Sequence, residues 1–120
     1  MLTDLEGSTK AWEADQEAMR EAMVQHDALV YGAVADRSGE MVETGREGDS
    51  VLAVFQRATD AAACALEIQR RFESAAWPEK LKMKVRIALH SGEAELRGGH
   101  YFGRPLNRCA RVLALCHGGQ

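Results

Sequence analysis

Leu2-Thr3-Asp4-Leu5-Glu6-Gly7-Ser8-Thr9 is the stretch on which the reading of this 120-residue chain turns. A short β-like run ends on an acid, a glycine breaks the extended geometry, and small hydroxyl residues then suit a helix start. An acid at such a seam is presented to solvent rather than buried. Asp49, in Glu47-Gly48-Asp49-Ser50, has the same setting at the edge of a second β-like run. Two such acids brought together would hold divalent metal against a polyphosphate, and the free amides of the helix that follows Asp4 suit phosphate.

Outward from that stretch, the pattern alternates between the two periodicities of regular structure. Ser8 or Thr9 is placed to cap a first short helix running through Trp12. Ala18, Met19, Ala22, Met23, His26, Leu29, Val30, Ala33 and Val34 recur at three- and four-residue spacing. This predicts a helix of about five turns with one buried stripe, His26 half-buried within it, ended by Ser38-Gly39. Glu40 to Glu43 and Val51 to Phe55 read as the strands of a hairpin around a polar loop. Ala62, Ala65, Leu66, Gln69 and Phe72 mark another amphipathic helix from Thr59, stopping before Trp77-Pro78. Lys82 to His90 alternates, with Met83, Val85, Ile87 and Leu89 on one face and Lys84, Arg86, Ala88 and His90 on the other, as in a half-buried strand. Glu93 to Arg97 and His100 to Phe102 flank Gly98-Gly99 as a second hairpin or bulged turn. Pro105 suits the first turn of a last helix reaching Ala114. The expectation is a single α/β domain over residues 1–120, an α+β sandwich with a ferredoxin-like, largely antiparallel sheet and helices packed on one face.

Bulk composition narrows the function classes. A net charge of −3, with 28% charged residues, gives no electrostatic footprint for nucleic acid or an anionic membrane. No apolar run is long enough to span a bilayer and no secretory leader is visible. Cys64, Cys109 and Cys116 make an odd count without metal-like clustering, which reads as reduced thiols in a cytoplasmic protein.

Asn107 and Arg111 lie four apart, so one helix face carries both an amide and a guanidinium. Such a pair suits steadying a ribose oxygen and a phosphate as charge builds on them. With these residues in place, the chain resembles the catalytic domain of the class III nucleotidyl cyclases, the adenylate and guanylate cyclases, and most closely their bacterial branch. The resemblance runs over nearly the whole length. It rests on Thr3-Asp4-Leu5-Glu6-Gly7-Ser8-Thr9, on Gly48-Asp49-Ser50 with Leu52-Ala53-Val54-Phe55, on Ile87-Ala88-Leu89-His90-Ser91-Gly92-Glu93, and on Tyr101-Phe102-Gly103 leading to Asn107 and Arg111.

The resemblance implies an enzyme that converts ATP or GTP to the 3′,5′-cyclic nucleotide and pyrophosphate in signal transduction. Asp4 and Asp49, with Leu5 beside them, would hold two divalent ions, Mg²⁺ or Mn²⁺. Main-chain amides from Leu5 to Ser8 would cradle the terminal phosphates, with Glu6, Gly7, Ser8 and Thr9 as the substrate-binding residues. Asn107 would orient the ribose and Arg111 would offset charge on the α-phosphate. The family's site is shared between two chains, which implies a head-to-tail homodimer.

Two departures stand beside the matches. Adenylate cyclases usually read the base with lysine and aspartate, and Glu43 and His100 stand at the matching positions. An ionised glutamate accepts from the N1–H and N2 amine of guanine, and a histidine donates to O6, so the pocket is chemically closer to guanine while ATP remains open. The family's first strand also begins earlier, and the family continues past Gly118-Gly119-Gln120 with further strands, one carrying a lysine for the triphosphate. On this comparison the domain is truncated at both ends.

Plainer roles exist for each residue. Asp4 and Asp49 also suit turns, and Asn107, Arg111, Glu43 and His100 also suit a solvated surface. Trp12 and Trp77 suit packing. The alternative to an enzyme is a catalytically inactive nucleotide-binding or dimerisation module, and a third possibility is a fragment that does not fold stably alone.

Overall fold

The computed structural model describes residues 1–42, 48–98 and 100–120, with the backbone alone at His100. Along the chain come β1 (Leu2–Leu5), α1 (Ser8–Ala14), α2 (Gln16–Asp36), β2 (Glu40–Val42), β3 (Val51–Val54), α3 (Ala58–Ser74), β4 (Val85–Ala88), β5 (Glu95–Arg97), β6 (His100–Phe102) and α4 (Arg104–Leu113). β1 lies between β3 and β4 in an antiparallel sheet of order β2-β3-β1-β4, and β5 pairs with β6 as a separate ribbon. The α+β architecture and antiparallel sheet expected from the periodicities are therefore present.

Strand alternation sends Thr3, Leu5, Val51, Ala53, Val85 and Ile87 to one side of the sheet, where α2 and α3 close the main core. α2 contributes Met19, Ala22, Val30, Ala33 and Val34, and α3 contributes Cys64, Ile68 and Phe72. His26 was expected half-buried but is fully buried. Its Nδ1 lies 2.9 Å from Asp27 Oδ1, and its ring meets Phe72 edge-on at 5.7 Å. Its place on the α2 stripe, against α3, leaves no route to water. Trp77 donates from Nε1 to the Phe72 carbonyl at 3.0 Å and stacks obliquely on its ring, a packing role.

α4 packs on the opposite face, where Cys109 and Leu113 meet Ala88 and Leu2. This changes the reading of residues 82–90. The strand covers only Val85–Ala88, Ala88 is 2% exposed, and Leu89 is 39% exposed rather than continuing the buried row. A helix lying over the second face buries Ala88 and ends the simple in-and-out alternation.

The first helix also departs from expectation. Its cap is Gly7 rather than Ser8 or Thr9, with φ 72° and no capping side chain. Glycine reaches that left-handed geometry without steric penalty, so the helix opens one residue earlier. It runs past Trp12 to Ala14, and Asp15 then caps α2 by accepting from the Ala18 amide at 3.0 Å. The strands around the polar loop pair as a hairpin, Glu40 opposite Val54, but Glu43 and residues 44–47 lie outside the described residues. Among the described residues, no helix is long and apolar enough to cross a membrane.

Burial pushes the Cys64 thiol from an ordinary 9.0 up to about 11 and raises Cys109 in the same direction. Since the raised value belongs to the folded state, this contribution to stability is complete below about pH 9 and is lost as pH rises toward 11. Denaturant melts should therefore shift to lower midpoints across that window. Iodoacetamide at about pH 8 should label half-buried Cys116 first and reach Cys64 only on unfolding. Rapid labelling of Cys64 in the folded chain would contradict its placement.

Candidate active site

Asp4 stands one residue before the end of β1, on the side of the strand away from the main core. The β1–β4 register sets Arg86 directly opposite. The two side chains pair through two parallel bonds, Nε donating to Oδ1 at 2.7 Å and Nη2 donating to Oδ2 at 2.6 Å. With exposures of 26% for Arg86 and 21% for Asp4, the pair is shielded on most sides. Charge-assisted bonds in such a setting contribute about 1.5–3 kcal/mol.

Asp49 arrives at the same corner from the turn before β3. β1 pairs with β3 at Leu2 and Thr3 alone, so the Leu5 amide extends past the end of that ladder. An amide left there needs a partner. Asp49 supplies one: its Oδ2 accepts from the Leu5 amide at 2.5 Å, across 44 residues of sequence. The Asp49 carboxylate is thereby seated on the main-chain amide that follows Asp4. The bonds to Asp4 hold the Arg86 guanidinium above its ordinary pKa. Burial opposes this, and the charges of Asp4, Glu6 and Asp49 add to it.

The remaining predicted residues divide. The Glu6 carboxylate turns toward the residues after α4, its Oε1 accepting from the Gly118 amide at 2.9 Å. A side chain at position 118 would lie 2.5 Å from Lys84 Cβ and 2.7 Å from Glu6 Oε2, so only glycine allows this approach. Of the main-chain amides at this seam, that of Leu5 is engaged by Asp49, and that of Glu6, expected to face phosphate, donates to the Lys84 carbonyl at 2.9 Å. Gly7 and Ser8 follow in the turn and the first helical position, with Thr9 exposed beyond them.

Asn107 and Arg111 are exposed on α4. Each is two residues, about 200°, from buried Cys109, so both project away from the sheet that carries Asp4. The structure thus gathers Asp4, Leu5 and Asp49 at one corner and sets Asn107 and Arg111 outward. Glu43 lies outside the described residues, and so does the His100 side chain.

Arg86 is the site residue that sequence reasoning passed over. It appeared as one member of the polar face of a strand, beside Lys84. The register that sets it against Asp4 is a tertiary property. The available signal was an arginine at the middle of a strand able to neighbour an acid-bearing one.

The donor set suits a hard divalent cation. Carboxylate oxygens, with the Leu5 carbonyl between them in sequence, match Mg²⁺ or Mn²⁺, which take oxygen ligands and retain water or phosphate in other positions. Among the described residues, no three His, Cys, Asp or Glu side chains form a self-sufficient metal cage, so ligand oxygens would complete the shell. A cavity of about 580 Å³ lies elsewhere, at the Met1 end of β1, lined by Leu52, Val54, Arg57, His90 and Tyr101 among others. None of the described candidate residues lines it.

No family model matches the chain. An uncharacterized protein of Mycobacterium tuberculosis is 41% identical over all 120 residues, and the chain spans 40% of that relative's length. The crystal structure of an adenylate/guanylate cyclase/hydrolase from Silicibacter pomeroyi is 30% identical, with a TM-score of 0.83 over 98% of this chain and 70% of that one. The guanylate cyclase domain of RhGC from Catenaria anguillulae, solved in complex with GTP, superposes with a TM-score of 0.82 at 20% identity, covering 98% of this chain and 72% of that domain. Joining the antiparallel sheet and its helices to that level of identity and coverage, the chain belongs to the family of class III adenylate/guanylate cyclase domains.

Proposed function

We propose that this domain is a nucleotidyl cyclase, taking ATP or GTP to the 3′,5′-cyclic nucleotide and pyrophosphate in cytoplasmic cyclic-nucleotide signalling. The observation that supports it most directly is that the Asp49 carboxylate accepts from the Leu5 amide, the main-chain group next to Asp4. Asp4, Asp49 and the Leu5 carbonyl are the groups to hold two divalent ions. When bound, such ions supply Lewis-acid neutralisation of the triphosphate and a lowered pKa for the ribose 3′-hydroxyl. The turn at Glu6, Gly7, Ser8 and Thr9 lies beside them for the terminal phosphates. The 3′ oxygen bonds to the α-phosphorus, the bond to the pyrophosphate oxygen breaks, and the hydroxyl proton passes to solvent. Asn107 fixes the ribose, and Arg111 offsets charge on the α-phosphate during that exchange.

The outward direction of Asn107 and Arg111 favours their acting on a partner's acid pair in a head-to-tail homodimer. Glu43 and His100 are the groups to read the base, with acceptor and donor chemistry closer to guanine. Supplying ATP and GTP together with Mn²⁺ and separating the products by chromatography tests the reading. A cyclic product from either nucleotide supports it, and the ratio of the two gives the base preference.

A second reading, a nucleotide-binding or dimerisation module without turnover, has one observation in its favour. Both Asp4 oxygens are engaged by Arg86, and one Asp49 oxygen is engaged by Leu5. Nucleotide binding without any cyclic product would select it.

A further inference from the structure

We propose that Arg86 is the resting counter-ion of the acid pair, seated on Asp4 where a divalent cation must sit, so that metal uptake and release of Arg86 form a single exchange. The proposal rests on the metal-holding role assigned to Asp4 and Asp49.

Three observations carry it. Arg86 is not a neighbour at the rim: its planar fork engages both oxygens of Asp4, from the strand position directly opposite. A fork of this kind takes the two in-plane positions at which a carboxylate also grips a metal ion side-on. Asp49 cannot compensate freely, because one of its oxygens is held by the Leu5 amide. Finally, Glu6, the other acid in this field, is turned toward the Gly118 amide.

With Arg86 in place, the formal charge on the two acids falls from two negatives to one. A divalent ion arriving beside Asp4 would then face a fixed positive charge within a shielded corner, where repulsion is weakly screened. With Arg86 withdrawn, the ion meets the Asp4 carboxylate uncompensated, with that of Asp49 seated on the next main-chain amide. The guanidinium has somewhere to go, since a quarter of its side chain already meets solvent. In the resting chain it also prevents two like charges from repelling one another across the end of β1. Arg86 is a positioning residue in this scheme: it keeps the acids together without metal and sets how much metal is needed to take its place.

The test is metal binding in the absence of nucleotide. The chain and its Arg86→Gln variant, both stripped with chelator, are titrated with Mn²⁺, and free Mn²⁺ is followed by electron paramagnetic resonance. Arg86→Gln should bind about tenfold more tightly, and Mn²⁺ should raise its melting temperature more than that of the parent. Adding Asp4→Asn should remove both gains. Equal or weaker binding by Arg86→Gln overturns the exchange while leaving the metal site standing. Absence of Mn²⁺ binding in both proteins overturns the metal reading itself. Should Arg86→Gln fail to fold, the unsubstituted chain still decides. On titration with diamagnetic Mg²⁺, the Arg86 Nε–Hε resonance should shift and lose protection from solvent in step with uptake. A resonance that stays unchanged while Mg²⁺ binds overturns the proposal.

Discussion

Replacing Asp49 by Ala is expected to lower cyclic-nucleotide formation by about 10³ or more, because charge stabilisation worth several kcal/mol is removed from the triphosphate. The same change strips the Leu5 amide of its acceptor, so some loss of stability accompanies it, about 1–3 kcal/mol for an unpaired, partly shielded donor. Activity and stability therefore need separating, and Asp49→Asn does so. Its amide oxygen can still accept from Leu5, while the negative charge is gone. The expected outcome is a melting midpoint close to that of the parent with the product rate as low as in Asp49→Ala. An Asp49→Asn chain that turns over normally would refute the assignment of Asp49, whatever its stability.

The second large effect comes from mixing two inactive chains. Asp49→Ala removes one of the acids proposed to hold metal and Arg111→Ala removes the outward guanidinium, and each alone should give almost no product. If one site draws its acids from one chain and its asparagine–arginine pair from the other, a mixed dimer holds one intact site out of two. Random assortment at equal concentrations then restores about a quarter of the parental rate. A site built within a single chain predicts no recovery at any mixing ratio, and product release measured against total protein distinguishes the two. The α4 geometry favours recovery, since Asn107 and Arg111 lie on the helix face opposite Cys109, away from the sheet bearing Asp4.

Much of the architecture was legible because local periodicity carries it. The stripe from Met19 to Val34 and the alternation through Val85 and Ile87 placed α2 and β4 before any packing was known. The misread ends have two causes, one remote and one local. Leu89 leaves the buried row because β4 ends at Ala88 beneath α4, and α1 opens at Gly7 because a left-handed glycine serves where a hydroxyl cap was expected. Asp4 and Asp49 were picked out by their seams between strand and turn, and Asn107 and Arg111 by helical spacing.

By itself, the sequence determined the order and type of the elements and the buried face of α2, and it singled out Asp4 and Asp49 as candidates, because each depends on residues within a few positions of one another. The stripe expected on α3 is displaced: Ala62 and Leu66 are exposed, while Cys64, Ile68 and Phe72 are the residues buried in the core. Only the tertiary structure decided that Arg86 faces Asp4 and that Asp49 closes on the Leu5 amide. Strand register and ladder length are set by packing the whole sheet against its helices, and no local pattern encodes them.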